Sequence, residues 1–429
     1  MAKIRSSIVT VLDIGSTKTV CVIAKMMPVD GGRYLHGRTH APEVIGIGHT
    51  KSVGMKSGMV VDLDSVERTV RHAVEAAERM AGLTVESIIT NISAGRMAST
   101  KCSASITLED RPIAAKDIQK VLKAAVARAA RIDRQVVHLM PVDHVLDGER
   151  GILDPRGMIG EELSLNMHLL SVDAAPLRNL ELAINRSHLS VEQMVATPYA
   201  SGLSTLVDDE LELGCACIDM GGGTTSISVF SERRFIHADC IPVGGHHVTM
   251  DIARGFSCSI ENAERMKVMQ GSVMAATVDD REMISVPGLG EDGLDNPHQV
   301  PRSLLNRIIA ARVEETLEML RERLNKSGHS SVIGKRVVLT GGAAQMAGLP
   351  DLARRVLGRN IRIGRPLGIK GLPTSAKTPA FAATVGLMIY PQTAHNDQSL
   401  TNFQGAVRHQ RNGTEGPLGR MTQWIKDSF

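Results

Sequence analysis

Apolar and polar positions change period several times along the chain, and two stretches repeat one design. "VLDIGSTKTVCVIA", residues 11–24, and "CIDMGGGTTSISVF", residues 217–230, each run from strand-like residues through an aspartate into a turn of small residues, then back to strand-like residues. The first predicts two strands over residues 8–24 around a turn at 15–18, and residues 44–50 predict another. "LDSVERTVRHAVEAAERMAG" predicts a helix with Val66, Val70, Ala73, Val74, Ala77 and Met80 on one face and Gly82 as its stop. Residues 31–42, polar and turn-rich, are expected to form a surface loop.

Residues 85–108 alternate as two strands, "AAKDIQKVLKAAVARAARI" has helical periodicity, and residues 135–173 hold further strands around a Pro/Gly-rich middle. That block is expected to be a small α+β insertion. A helix over 175–190, a buried strand "VEQMVATP" stopped by Pro198, and a helix over 199–212 lead into the second hairpin motif. Beyond it come a turn at Gly244 and Gly245, a helix from Thr249, a helix over 259–270, and an acidic, Pro/Gly-rich stretch, 277–301, with one strand near Met283–Val286. Residues 302–325 predict the clearest helix, its apolar stripe made by Leu305, Ile309, Val313, Leu317, Leu320 and Leu324. "RVVLTGGAAQMAGL" is a strand and a turn, and "PAFAATVGLMIY" a last apolar helix. Residues 391–416 are polar without periodicity and are expected to be a flexible linker.

At 429 residues the chain is expected to hold two to four domains. A net charge of +3 and an aromatic content of 2% argue against a nucleic-acid partner, because neither a basic surface nor stacking platforms are supplied. The six cysteines (Cys21, Cys102, Cys215, Cys217, Cys240, Cys258) form no CxxC pair and lie mostly in apolar runs, which suits buried, reduced thiols in the cytoplasm. The N-terminal apolar run is too short for a signal peptide, and no stretch has the length of a membrane span.

Placing Asp13 on Asp219 sets Gly15 on Gly221, Thr17 on Gly223 and Thr19 on Thr225. The distance is too long for a solenoid repeat and suggests a duplicated unit. In each unit the turn, Gly15, Ser16, Thr17 and Lys18 or Gly221, Gly222, Gly223, Thr224 and Thr225, lets backbone N–H groups converge into an anion-binding nest, with hydroxyls and one ammonium beside it. An aspartate before such a nest would repel phosphate unless it held the water shell of Mg²⁺. The strand-Gly-Gly turn at Gly341, Gly342 and Ala343 adds a backbone that a ligand can approach closely. Neither a GxxxxGK[ST] loop nor a GxGxxG strand-to-helix turn is present.

The terminal "GPLGRMTQWIKDSF" sets Leu418, Met421, Trp424, Ile425 and Phe429 on one side of an ideal helix, with the chain's single Trp at the edge of the apolar arc. It is expected to be a peripheral membrane anchor, too weak alone for stable attachment and in need of several tails acting together.

Two phosphate-type loops followed by a Gly-Gly adenosine-type turn resemble the actin/Hsp70/sugar-kinase ATPase superfamily. Connecting motifs are expected at about residues 136–147 ("VVHLMPVDHVLD") and in "PAFAATVGLMIY". "GMKSGMVVDLDSVERTVRHAVEAAERMAG", "ITNISAG", "GILDPRGMIGEELSLNMHLLSV" and "PVGGHHVTMDIARGFSCSIENAERMKVMQG" resemble the FtsA family of bacterial cell-division proteins, from about residue 8 to 390 and again in the tail. The loop at about 28–42 is longer than that family leads one to expect.

The resemblance implies an α/β, actin-like ATPase fold: two RNase-H-like lobes around a nucleotide cleft, with a small α+β subdomain inserted in the first lobe. It implies a first subdomain at 1–84 and 167–197, the insertion at 85–166, a second RNase-H-like subdomain at 198–245 and 326–390, a further subdomain at 246–325, the linker at 391–416 and the membrane helix at 417–429. It implies ATP and Mg²⁺, with Asp13 and Asp219 reaching the metal through water and the two loops holding phosphates. Gly244 and Gly245 would lie by phosphate or ribose, Glu264 and Lys267 by ribose and adenine, and Gly341, Gly342 and Ala343 against the adenosine. It also implies self-association into filaments, docking of the C-terminal peptide of the tubulin-like protein FtsZ on residues 246–325, contact with other divisome proteins, and a place on the cytoplasmic side of the membrane at the septum. ATP turnover would be weak or absent. Two other readings stay open: a pilus-assembly ATP-binding protein resembling PilM, which lacks the tail, and a sugar kinase, for which Asp143 and His144 could position a water but no convincing base emerges.

Overall fold

The computed structural model describes residues 7–29, 38–94, 96–109, 111–129, 134–274, 280–287 and 297–398. The chain starts with an antiparallel run, β1 (Ile8–Ile14), β2 (Lys18–Pro28) and β3 (His40–Lys51), then a small hairpin, β4 (Met55–Lys56) and β5 (Met59–Val60), and helix α1 (Leu63–Ala81). Asp62 caps α1 by accepting from the Asp64 and Ser65 amides, and Gly82 closes it in the left-handed region. β6 (Ser87–Ile92) returns to lie parallel to β1. β7 (Ala98–Thr107), α2 (Ala115–Ala129), β8 (Gln135–Leu146), β9 (Glu149–Ile152) and β10 (Glu162–Val172) follow, and α3 (Ala174–Arg186) and β11 (Ser190–Ala196) complete the first half.

The second half opens with α4 (Thr197–Thr205) and α5 (Asp208–Leu213). β12 (Cys215–Met220), β13 (Thr225–Ser231), β14 (Arg234–Ile241), α6 (Gly245–Phe256) and α7 (Ile260–Met269) come next. A hairpin of β15 (Met283–Val286) and β16 (His298–Pro301) leads into α8 (Arg302–Lys326). β17 (Arg336–Thr340), α9 (Leu349–Leu357), β18 (Asn360–Ile363) and α10 (Ala382–Thr393) finish the described chain.

The two large sheets have one topology. The first has the order β11-β6-β1-β2-β3 and the second β18-β17-β12-β13-β14. In each, three antiparallel strands are extended by two parallel ones. Both faces of each sheet are covered, which is why the central strands read as near-continuous apolar runs. Leu12, Ile14, Cys21 and Ile23 pack on α1 and α3, while Val11, Val20 and Val22 face the core shared with α4 and α10. In the second sheet Ala216, Ile218 and Met220 pack on α6, α8 and α9, whereas Cys215 and Cys217 join that same shared core. Helices α4 and α10 thus cross between the sheets, and a Cβ at Gly386 would lie 1.8 Å from the Ala200 carbonyl. The six cysteines are unpaired, and all but Cys240 are buried.

Several expectations change. β6 pairs with β1 and β11, and β10 with β7 and β8, so the insertion begins after residue 92 and runs through Val172 rather than over 85–166. Its sheet, β7-β10-β8-β9, has its own core with α2. Residues 136–146 belong to β8 in that sheet, so the stretch expected at about 136–147 to connect the lobes there does not; α4 takes the position opposite α10. The expected 199–212 helix is two helices, because Leu206 is extended and Glu210 turns back to accept from the Val207 amide. β3 starts at His40, inside the expected surface loop. Met80 is 58% exposed.

The expected linker from 391 is folded as far as 398. α10 continues to Thr393, and buried Asp397 accepts from His138 Nδ1, from the Leu139 amide at 3.0 Å and from the Tyr390 hydroxyl at 3.1 Å. The anchor residues Leu418, Met421, Trp424, Ile425 and Phe429 lie outside the described residues. No helix among the described residues is long and apolar enough to cross a membrane.

Candidate functional site

The two hairpin turns close in the same way. The Gly15 amide donates to the Lys18 carbonyl at 2.9 Å, and the Gly221 amide to the Thr224 carbonyl at 2.9 Å. The loops meet across a cavity of about 480 Å³: a Cβ at Gly222 would lie 2.4 Å from Thr17 Cγ2. Ser16 is held from the side, accepting from the Gly58 amide at 3.0 Å.

The aspartates before the loops are buried and matched. Thr384 of α10 donates its hydroxyl to Asp13 Oδ2 at 2.5 Å, and Ser201 of α4 donates to Asp219 Oδ2. Among the described residues the other oxygen of each carboxylate accepts no hydrogen bond. Burial pushes Asp219 up to about 6, the nearby Asp13 charge adding to the rise while Ser201 and Lys18 oppose it. Burial raises Asp13 as well, against Lys18 and Thr384. Burial lowers the Lys18 ammonium, which donates to the Ala380 carbonyl and stands 3.6 Å from the Phe381 ring centre.

Two desolvated carboxylates that repel each other and each keep an oxygen uncommitted suit a hard divalent cation. No group of three or more His, Cys, Asp or Glu among the described residues could hold a metal, so water and ligand oxygens would have to fill most of the shell. That is the coordination Mg²⁺ prefers.

The floor and the far wall come from the second half. α6 begins at Gly245, not Thr249, because its first free amides have partners in the loop: Gly245 donates to the Gly221 carbonyl at 2.9 Å and His246 to the Gly222 carbonyl at 2.7 Å. Lys267 Nζ donates to Glu264 Oε2 at 2.7 Å, to Thr249 Oγ1 at 2.8 Å and to the Gly245 carbonyl at 3.1 Å. Burial would raise Glu264, but the bonds from Lys267 and Thr249 outweigh it and lower its pKa. Gly341 sits at φ 89°, and a Cβ there would lie 2.3 Å from Asp219 Oδ1. The bare turn therefore lets this segment pack directly on the carboxylate.

The cavity is lined by Asp13, Gly15, Ser16, Thr17, Lys18, Asp219, Gly221, Gly222, Gly223, Thr224, Gly245, Glu264, Lys267, Gly341, Gly342 and Ala343. Two expected residues stand behind it. Thr225 is fully buried and donates to the Val243 carbonyl at 2.8 Å, while Gly244 packs on the Gly221 and Gly222 carbonyls. Asp143 and His144 are not on the wall either; Asp143 accepts from Asn166 at 2.9 Å inside the inserted sheet. Sequence reasoning missed Asn91, Thr197 and His246, which line the cavity, and Thr384 and Ser201, which hold the carboxylates. The available signal was a hydroxyl among the small and apolar residues of "AATVGLMIY" and "TPYASGLST", which in the second stretch is one of several.

The chain matches the family model for cell division protein FtsA over residues 216–386 and the model for the SHS2 domain inserted in FtsA over residues 94–171. It is 56% identical over 425 residues to cell division protein FtsA of Rhizobium meliloti (strain 1021), covering 99% of this chain and 96% of that one. It is 30% identical to cell division protein FtsA of Escherichia coli (strain K12), covering 97% of each. Among solved structures, a chain of the PilM–PilN type IV pilus biogenesis complex aligns with a TM-score of 0.59 at 15% identity, over 89% of this chain and 98% of that one. An MreB protein of Spiroplasma citri bound to AMPPNP aligns with a TM-score of 0.51 at 13% identity, over 93% and 99%. At those identities the likeness shows the fold, which is that of the actin-like ATPases, and the full-length similarity shows the family: this chain belongs to the FtsA family and has a part in cell division.

Proposed function

We propose that the cleft binds ATP with Mg²⁺, and that the protein polymerises and ties the FtsZ ring to the inner face of the cytoplasmic membrane at the division septum, where later division proteins join it. The observation that carries this reading is the pair Asp13 and Asp219, set by mirrored hairpins against one cavity. Amides and hydroxyls of residues 15–18 and 221–224 would hold the phosphates, and the two carboxylates would hold Mg²⁺ through its water shell. The metal would supply charge neutralisation between the phosphates and the carboxylates. Lys18 would turn from the Ala380 carbonyl to reach a phosphate, Glu264 and Lys267 would orient the ribose, and Gly341, Gly342 and Ala343 would pack on the adenosine. The MreB structure, bound to AMPPNP, supports a nucleotide in this fold.

Residues 246–325 are the proposed receiver of the FtsZ C-terminal peptide, and residues 417–429 the proposed membrane anchor. Because α10 and α4 each hold one aspartate, a nucleotide drawing the loops together would act on both lobes and so bias assembly. Polymerisation would make the weak anchor effective through avidity. Co-sedimentation of the full chain with liposomes, with and without ATP, tests this; a chain ending at residue 416 is the control. Vesicle binding that rises with ATP and vanishes in the control supports the proposal. Equal binding by both chains overturns the anchor.

A further inference from the structure

We propose that His246 is a direct contact for the phosphate oxygens of the bound nucleotide, and that through it nucleotide binding takes up a proton. The inference rests on the nucleotide reading of the cleft and deepens it.

Two successive histidines open α6 and are used differently. His247 Nδ1 accepts from the Gly244 amide at 3.1 Å and so finishes the N-terminus of the helix. The His246 backbone donates to Gly222 at the tip of the second loop, which fixes the residue beside the point where Gly222 meets Thr17. Its ring is exposed, His246 lines the cavity, and among the described residues the ring has no hydrogen-bond partner. The other ionisable groups of the cavity wall, Asp13, Lys18, Asp219, Glu264 and Lys267, all have one.

The titratable groups that face His246 come from three elements: Glu264 and Lys267 on α7, His247 on α6, and Lys51 at the end of β3 on the opposite lobe. Glu264 favours an imidazolium, but it is engaged by Lys267 and Thr249 and does not offset the burial and the remaining neighbours. Partial burial against the cavity wall comes first, then Glu264 opposed by His247, Lys267 and Lys51, and the net effect holds the ring below the ordinary histidine range. It is therefore neutral near neutral pH when only protein groups surround it. A multiply charged phosphate group alongside reverses the balance, because a nearby anion favours the charged imidazole. The ring then gains a proton as the phosphates arrive, and donates to them as a cation. Lys51 and His246, on facing lobes, would both approach the same anion.

Linkage fixes the sign. A group that binds a proton more tightly in the complex makes affinity fall as pH rises, by up to about tenfold per pH unit between its free and bound pKa values. The experiment is calorimetric titration of the full chain with ATP and Mg²⁺ at about pH 6 and about pH 8, either side of the ordinary histidine value. Each titration is run in two buffers of different ionisation enthalpy, with the parent, His246→Asn and His246→Lys. The nucleotide's own titration is common to all three proteins. The parent is expected to take up a proton beyond that shared amount and to bind severalfold tighter at the lower pH. His246→Asn is expected to lose the extra uptake and the pH slope. His246→Lys is expected to bind without a slope and, at the higher pH, more tightly than the Asn variant. If His246→Asn keeps the parent's slope and proton uptake, the proposal is overturned. If the parent binds no ATP at either pH, the nucleotide reading falls instead.

Discussion

Thr384 donates to Asp13 at 2.5 Å across 371 positions of sequence, and Ser201 makes the equivalent bond to Asp219. The two hydroxyls sit on helices that pack against each other between the sheets. The duplication seen in the hairpins therefore extends to their supports: each aspartate is oriented by the helix crossing behind it.

Removing one support leaves a buried carboxylate short of a donor, which costs about 1–3 kcal/mol. Thr384→Val is expected to lose that much stability in urea titrations and to weaken Mg²⁺-dependent nucleotide binding. Thr384→Ser, which keeps the hydroxyl, is expected to restore most of both. Equal losses in the two variants would show that the methyl group, not the bond, matters.

Gly341 and Gly358 both have positive φ, 89° and 63°, but only Gly341 has close neighbours. Gly358→Ala is expected to lose about 1–2 kcal/mol from the left-handed backbone alone. Gly341→Ala is expected to lose a further 1–3 kcal/mol or so, because its Cβ must displace Asp219 Oδ1 and the Met220 carbonyl, 2.3 and 2.5 Å away. Chemical denaturation of the two variants measures the difference, and equal losses would contradict the close packing described for this turn.

The structure also sets an acid response away from the cleft. His168, fully buried between the insertion and β14, donates from Nδ1 to the Phe235 carbonyl at 3.1 Å and accepts from Ser99. Burial first, then neighbouring histidines, push it down to about 3, and burial and His329 push His237 down to about 4. The unfolded chain takes up protons near pH 6.5 that the native protein refuses, so stability falls as pH drops below 6.5. The slope from His168 is about 1.4 kcal/mol per pH unit at most, lost in stages down to its native value. Asp219 acts oppositely: its pKa is raised from 3.8 to about 6, so stability falls as pH rises through that interval. Urea midpoints between about pH 7 and 5 for the parent and His168→Gln check the first effect, and a slope unchanged in the variant would refute it.

The hairpins, the stripe of α8 and the alternation of the inserted strands were legible because they are periodic or carry turn chemistry. Sequence could not assign β6 and β10 to their sheets, since strands of the same alternation stand next to each other in the chain and only pairing separates them. Thr384 and Ser201 carry no periodic signal. Asp397 reads as linker because its burial depends on His138, 259 positions away.

That last contact makes a boundary prediction. Ending the chain at residue 390 removes the buried Asp397 and leaves the His138 Nδ1 donor without its acceptor, a loss of about 1–3 kcal/mol for a buried polar group left unpaired. Ending it at 398 is expected to leave the melting temperature unchanged. Thermal unfolding of the two truncations decides, and equal melting temperatures would return residues 391–398 to the linker.

The central claim is that Asp13 and Asp219 jointly hold a magnesium nucleotide between the lobes. Its most direct test is equilibrium binding of ATP to the parent, Asp13→Asn and Asp219→Asn, each with Mg²⁺ and with excess EDTA. The account predicts Mg²⁺-dependent binding by the parent that each substitution weakens at least about tenfold, and little response to Mg²⁺ in either variant. Tight binding by all three proteins regardless of Mg²⁺, or no binding by the parent, would contradict it.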